Sequence, residues 1–226
     1  SRTVLALTAI GKDPASVAGF DLLKPLADFE QVTKQGINGT IFALLALDSG
    51  NYEIPENPDA AVQATRQMYV DELLTRELQD GGWTLTGGEA DVDITAMTLQ
   101  ALAKYREQPD VEAAVERGLV KLSSLQDADG GYTSWGSSNS ESVAQVIVAL
   151  TELGVPLDDE RFVKNGVTVE EALLRFAQES GAFVHVLDGS GGDDGMATEQ
   201  AFYALAAIHR AETGKTTLYD MTDVMQ

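Results

Sequence analysis

Val143-Ala144-Gln145-Val146-Ile147-Val148-Ala149-Leu150 carries a single polar residue in eight positions. Apolar residues at the three- and four-residue spacing of a helix mark its inward face. A helix that is apolar around most of its circumference is a buried helix. Phe42-Ala43-Leu44-Leu45-Ala46-Leu47 reads the same way. Both stretches belong to a pattern that recurs five times: a small or β-branched residue, Leu, two residues, then Leu or Ile. It is met at Ala6-Leu7, Ala43-Leu44, Thr98-Leu99, Ala149-Leu150 and Ala204-Leu205, with Leu-to-Leu spacings of 37, 55, 51 and 55 residues. A self-similar period of this length is the mark of a helical repeat architecture.

Helices of another character are expected between these. Residues 60–78 mix Arg66, Asp71, Glu72, Arg76 and Glu77 with Met68, Val70, Leu73, Leu74 and Leu78. Residues 111–125 and 169–177 are equally two-faced. Residues 21–32 form a fourth such segment, with Pro25 suited to a first turn. The chain therefore alternates buried inner helices with half-wet outer ones, about nine in all. Val184-His185-Val186-Leu187 is the one stretch with strand character, and it has no partner strand in the sequence.

A second signature joins outer helix to inner. It reads Gln79-Asp80-Gly81-Gly82-Trp83, then Gln126-Asp127-Ala128-Asp129-Gly130-Gly131-Tyr132, then Gln178-Glu179-Ser180-Gly181-Ala182-Phe183. Glycine takes the positive φ that ends a helix. The Gln amide is placed to bond carbonyls left open there, and the aromatic covers the gap to the next helix pair.

These turns and the alternation resemble the α/α toroid shared by terpenoid cyclases, protein prenyltransferase β subunits, complement thioester domains and cobalamin carriers. The likeness is nearest to surface proteins of Gram-positive bacteria in which a prenyltransferase-like toroid repeat precedes a transcobalamin-like C-terminal domain. It rests on Gln35-Gly36-Ile37-Asn38-Gly39-Thr40-Ile41-Phe42-Ala43-Leu44-Leu45-Ala46-Leu47-Asp48-Ser49-Gly50-Asn51-Tyr52-Glu53-Ile54-Pro55, on Asp91-Val92-Asp93-Ile94-Thr95-Ala96-Met97, and on Ala197-Thr198-Glu199-Gln200-Ala201. The resemblance implies an all-α fold, a secreted or cell-surface setting, and a ring of about twelve helices. Nine helices imply an incomplete or open ring. Residues 1–226 read as one domain. Val4, Leu5, Leu7 and Ile10 are helical in pattern with no cap ahead of them, as in a piece of a longer protein.

Charge and composition narrow the chemistry. Fifteen Lys+Arg against 36 Asp+Glu give a net charge of −21. That argues against nucleic acid and anionic membranes as partners. No run approaches the roughly 18 apolar residues of a membrane span. The absence of cysteine removes thioester chemistry and thiolate-held zinc. The zinc site of prenyl transfer needs Asp, Cys and His together, and His185 and His209 lie in unrelated segments. No cofactor or metal is expected. Asp127-x-Asp129-Gly130 and Asp193-Asp194 offer hard oxygens for calcium without the later Glu of a calcium loop, so turn roles are expected.

Acids gather where inner helices begin: Asp91 and Asp93, Glu141, then Asp193, Asp194 and Glu199. Two readings follow. As caps, they satisfy open backbone N–H groups and oppose the helix dipole, with Asp91 or Asp93 capping one helix and Ser138-x-x-Glu141 forming a capping box. As chemistry, Asp91-Val92-Asp93-Ile94 matches two of the three acids of the cyclase Asp-x-Asp-Asp motif, and a buried pair of carboxyls can hold a proton. Trp83, Tyr132 and Phe183 recur with the repeat and read as structural clamps. Trp135 does not recur. It sits in the polar loop Thr133-Ser134-Trp135-Gly136-Ser137-Ser138-Asn139 and reads as a ligand contact. The expectation is a non-catalytic binding or structural module for a small molecule, glycan or protein. Its rim would be built from Trp135, Asn139, Glu141, Asp194 and Glu199. The alternative is a terpenoid-cyclase-like or carbohydrate-active enzyme with Asp91 and Asp93 as acids.

Overall fold

The computed structural model describes residues 1–224. Among them the protein is mostly α-helical, with nine α-helices and a single two-stranded sheet. The helices are α1 (Arg2–Ala9), α2 (Phe29–Thr33), α3 (Ile37–Ser49), α4 (Arg66–Thr75), α5 (Val92–Leu102), α6 (Pro109–Leu125), α7 (Ser140–Glu152), α8 (Val169–Leu174) and α9 (Gly195–Glu212). Odd-numbered helices pack on one another in sequence order, α1 on α3, α3 on α5, α5 on α7 and α7 on α9. Even-numbered helices back them: α2 and α4 lie on α3, α6 on α5 and α8 on α7.

Burial follows the two helix types. In α7 every residue from Val143 to Leu150 except Gln145 is buried, and in α3 Ala43 through Leu47 are buried. In α6 the buried set is Val111, Ala114, Val115, Gly118, Leu119 and Leu122, one stripe at three- and four-residue spacing. Such a stripe is what tertiary packing, rather than propensity, holds in place. Three outer elements are shorter than their patterns suggest. The helix expected over 169–177 ends at Leu174. Residues 60–65 are irregular and lead to Thr65, whose hydroxyl caps α4 through Met68 N–H. Residues 21–32 break into a 3-10 turn (Lys24–Ala27), with Pro25 near its start, and α2, which Asp28 caps. Residues 184–187 are not a strand. The sheet is instead the hairpin Thr133–Ser134 with Ser137–Ser138.

The Gln/Gly/aromatic signature folds into one loop, three times. Leu78 N–H donates to Gly82 O, Asp127 N–H to Gly131 O, and Gln178 N–H to Ala182 O, at 2.8–3.0 Å. Gly81, Gly130 and Gly181 each hold φ near +83 to +85° at the same place in that loop, where other residues are strained. The aromatic next in line then fixes the following inner helix. The carbonyls of Trp83, Tyr132 and Phe183 accept from the N–H groups of Asp91, Asn139 and Asp194 at 2.8, 3.2 and 2.9 Å. Those three residues are the N-caps of α5, α7 and α9. The Gln side chains are less uniform. Gln126 Nε2 reaches Gly130 O and Phe162 O, whereas Gln79 is exposed.

After α9 the chain turns back as a strap over residues 213–224. Arg210 holds its root through Thr216 O at 2.7 Å and Asp223 at 2.9 Å. Tyr219 N–H donates to Glu152 Oε1 at the end of α7 (2.9 Å), and Met221 N–H to Ser49 O at the end of α3 (2.8 Å). The strap thus crosses the C-terminal ends of the inner helices.

Candidate functional site

The opposite, N-terminal end of the inner helices is open and forms a cavity of about 330 Å³. Asp93 and Met97 reach it from α5, Glu141 and Gln145 from α7, Met196 and Gln200 from α9, and Arg2 from α1. Trp135 and His185 complete its mouth. On α5 and α9 the residues sit four apart, which puts each pair on one helical stripe.

Asp91 caps α5, its Oδ1 accepting Ile94 N–H at 2.9 Å. Its other oxygen and Asp93 Oδ2 share the Ser134 hydroxyl, at 3.2 and 3.3 Å. Asp93 Oδ1 is buried without a hydrogen-bond partner. Burial, first of all, pushes the Asp93 carboxyl above the ordinary carboxylate range, and the nearby Asp91 and Glu141 charges push the same way, against the Ser142 and Ser134 hydroxyls. The sign for stability follows. The unfolded chain releases the Asp93 proton at lower pH than the fold does, so this group erodes stability as pH rises through that interval. Asp93→Asn is therefore expected to raise stability at pH 7 relative to pH 4, compared with the parent chain. Urea midpoints at the two pH values check this. Asp91→Ala should cost about 1 kcal/mol as a lost cap while Asp91→Asn keeps most of it, which paired urea titrations would measure.

Glu141 sits in the first turn of α7, with its side chain only 12% exposed. His185 Nδ1 lies 2.8–2.9 Å from both of its oxygens. Ser140 Oγ also reaches Glu141, at 3.0 Å. The cap of α7 is Asn139, whose Oδ1 accepts Ser142 N–H at 2.8 Å. Ser138 belongs to the hairpin, so the expected Ser138–Glu141 capping box does not form. Trp135 and Gly136 make the two-residue hairpin turn with φ of +51° and +85°. Positive φ at both positions is the type I′ geometry that matches strand twist. Asn or Gly suits the first position, and a bulky residue there is strained. Trp135 holds that strained place and is 80% exposed beside the cavity.

The sequence-derived residues are thus partly united. Asp93, Trp135, Asn139 and Glu141 line one cavity, and Asp91 stands behind it through Ser134. Asp194 caps α9 from outside the lining, and Glu199 is exposed on α9, also outside it. Asp127 and Asp129 act within their turn, accepting from Thr133 Oγ1 and Gly131 N–H. Among the described residues no three His, Asp or Glu side chains cluster as a metal site would need. In the sequence His185 stands apart from His209 and from any metal-ligand motif. Its pairing with Glu141, 44 residues away, has no local signature. Gln145 did leave a signal, as the one polar residue in an eight-residue apolar run, whereas Gln100 and Gln200 lie among other polar residues of α5 and α9. Gln100 Nε2 donates to Gln145 Oε1 at 3.0 Å, and Gln145 Nε2 to Gln200 Oε1 at 3.0 Å and to the Tyr203 hydroxyl. This chain of amides forms the floor of the cavity.

No family model matches the chain, and no curated protein matches it in sequence.

Proposed function

We propose that the protein is a sector of an α/α toroid, from a secreted or cell-surface bacterial protein, that serves as a non-catalytic glycan-binding module. The alternation of inner and outer helices, and the thrice-repeated loop between them, support the toroid. The observation that carries the function is Trp135. A large flat ring is held exposed, at a backbone conformation that disfavours it, over a cavity lined by carboxylates, amides and an imidazole. A sugar ring has an apolar face for such an indole and hydroxyls for such a rim. Concave sites with a few convergent polar groups are the usual form of small-ligand recognition.

A thermal-shift panel of cell-wall and host glycans, corrinoids, isoprenoid diphosphates and calcium tests the reading. A ligand at 100 times its dissociation constant adds about 2.7 kcal/mol, or roughly 5–11 °C at this chain length. Glycans alone are expected to shift the transition. Trp135→Ala should weaken glycan binding by about tenfold or more, since aromatic anchors of this kind carry 2 kcal/mol or more. The free protein's melting temperature should stay within a degree or two. A shift from another class only, or glycan binding indifferent to Trp135, would sink the proposal.

A second reading rests on the Asp93 carboxyl, which burial holds toward its protonated form. In an enzyme of terpenoid-cyclase or carbohydrate-active type, Asp93 supplies a proton with Asp91 beside it. Replacing both with Asn separates the readings. Acid chemistry is abolished by that change, while a binding module loses only part of its affinity, because Asn still offers a hydrogen-bonding amide and Trp135 is untouched.

A further inference from the structure

Beyond the amide floor lies a separate, half-open chamber of about 200 Å³, bounded by α3, α5, α7 and the strap. Leu45, Ala101 and Ala103 give it an apolar side, and Thr217, Tyr219 and Asp220 of the strap flank it. Gln100 is 3% exposed and lines this chamber, and its Oε1 has no hydrogen-bond partner. The same amide's Nε2 is spent on Gln145. A buried acceptor left open is costly, so it calls for a donor.

Charge says which kind of donor. The chamber lies where α3, α5 and α7 end, at Asp48, Ala101 and Glu152. Helix C-termini carry partial negative charge and favour cations. Glu152 adds a carboxyl that no Lys or Arg pairs among the described residues, and Asp220 adds another. Burial pushes the Glu152 carboxyl above the ordinary carboxylate range, the direction a bound cation would reverse. Asp48 is already neutralised by Arg66 at 2.7 Å and bonded by the Tyr105 hydroxyl. The one cation on the lining, Lys104, is turned onto Asp48 O and Asn51 Oδ1. Tyr219 supplies an aromatic ring, which attracts cations over its face.

We propose that this chamber is a second ligand site, for a small alkylammonium ion, with the strap as its lid. The ammonium N–H groups meet Gln100 Oε1 and Glu152, and the alkyl part lies on Leu45, Ala101 and Ala103. Because Glu152 also accepts Tyr219 N–H, the occupied site holds the strap down.

Butylammonium chloride is the probe, with butanol and sodium chloride at equal concentration as controls. Butylammonium is expected to raise the melting temperature and to slow amide exchange at Tyr219 and Met221, and the controls are not. Glu152→Gln keeps the acceptor for Tyr219 and removes the charge. It should weaken butylammonium binding by about tenfold or more, as the loss of a hydrogen bond to a charged group does. Gln100→Leu, if it folds, should do the same. Equal effects of butanol and butylammonium overturn the proposal. So does exchange at Tyr219 and Met221 that does not respond. Loss of butylammonium binding in Trp135→Ala with full binding in Glu152→Gln also overturns it, because the amine then sits at the rim.

Discussion

Trp83→Ala is expected to lower stability by about 4 kcal/mol, the middle of the range for removing a buried aromatic. At this chain length that is a fall of roughly 8–16 °C in melting temperature. Trp83 is fully buried, and its Nε1–H donates to Leu73 O at 2.7 Å. Its backbone is equally committed, N–H to Thr95 Oγ1 at 2.9 Å and C=O to Asp91 N–H at 2.8 Å. The ring therefore joins α4 to the start of α5, and α6 is shaped around it. A methyl group placed on Gly118 of α6 would come within 2.8 Å of Leu99 Cδ2 and 3.1 Å of Trp83 Cζ3. Trp83→Phe separates packing from hydrogen bonding. It keeps most of the ring and removes one of two donors to Leu73 O, which still accepts Arg76 N–H at 3.2 Å, so the lost bond should cost about 0.5–1.5 kcal/mol. Urea unfolding of both variants by circular dichroism gives the comparison. Equal stability of Trp83→Ala and the parent chain would remove the clamp account.

Gly39→Ala is expected to reverse the usual preference of helices. In an open helix interior, Ala is favoured over Gly by about 0.5–1 kcal/mol. Gly39 is the third residue of α3, in its first turn, and is buried. A Cβ there would overlap the Val32 backbone oxygen and come within 3.0 Å of Gln35 Cβ. The obstacle is backbone of α2, which cannot rotate aside as a side chain can. Overpacking of this kind costs about 1–3 kcal/mol, occasionally more, and the upper end is expected here. Gly195→Ala is the control, at the first position of α9 with nothing within 4 Å. It should leave the urea midpoint unchanged or raised. Equal midpoints for Gly39→Ala and Gly195→Ala would show that α2 yields freely.

The helical alternation is written plainly in the chain because burial sets it residue by residue. Phe42–Leu47 and Val143–Leu150 have no wet face to offer, and α6 has one clean stripe. The three loops were legible for a similar reason, since positive φ demands glycine at Gly81, Gly130 and Gly181. What the loops do was not legible. That Trp83, Tyr132 and Phe183 use their carbonyls to seat the next N-cap depends on backbone direction, which side-chain identity does not encode. The site was half visible. Asp93, Trp135, Asn139 and Glu141 stood out by type and place. Ser134, His185 and Arg2 reach the same cavity only through the fold. Asp194 and Glu199 fall outside that lining. Asp194 caps α9, one of the two roles its place in the sequence offered, and Glu199 falls on an exposed side of the helix.

The strap sets an order of assembly. Its bond from Met221 to Ser49 and its bond from Tyr219 to Glu152 span helices that must already lie side by side. Closing so long a loop in a disordered chain is entropically costly, whereas α1 through α9 each meet a near neighbour in sequence. Helix stacking can therefore spread along the chain from any nucleus, as in other repeat arrays, but strap docking has to wait until α3, α5 and α7 share one edge. Tyr219 is then a natural clock hand for refolding. Its ring becomes partly covered at the final step, after the helical signal has saturated.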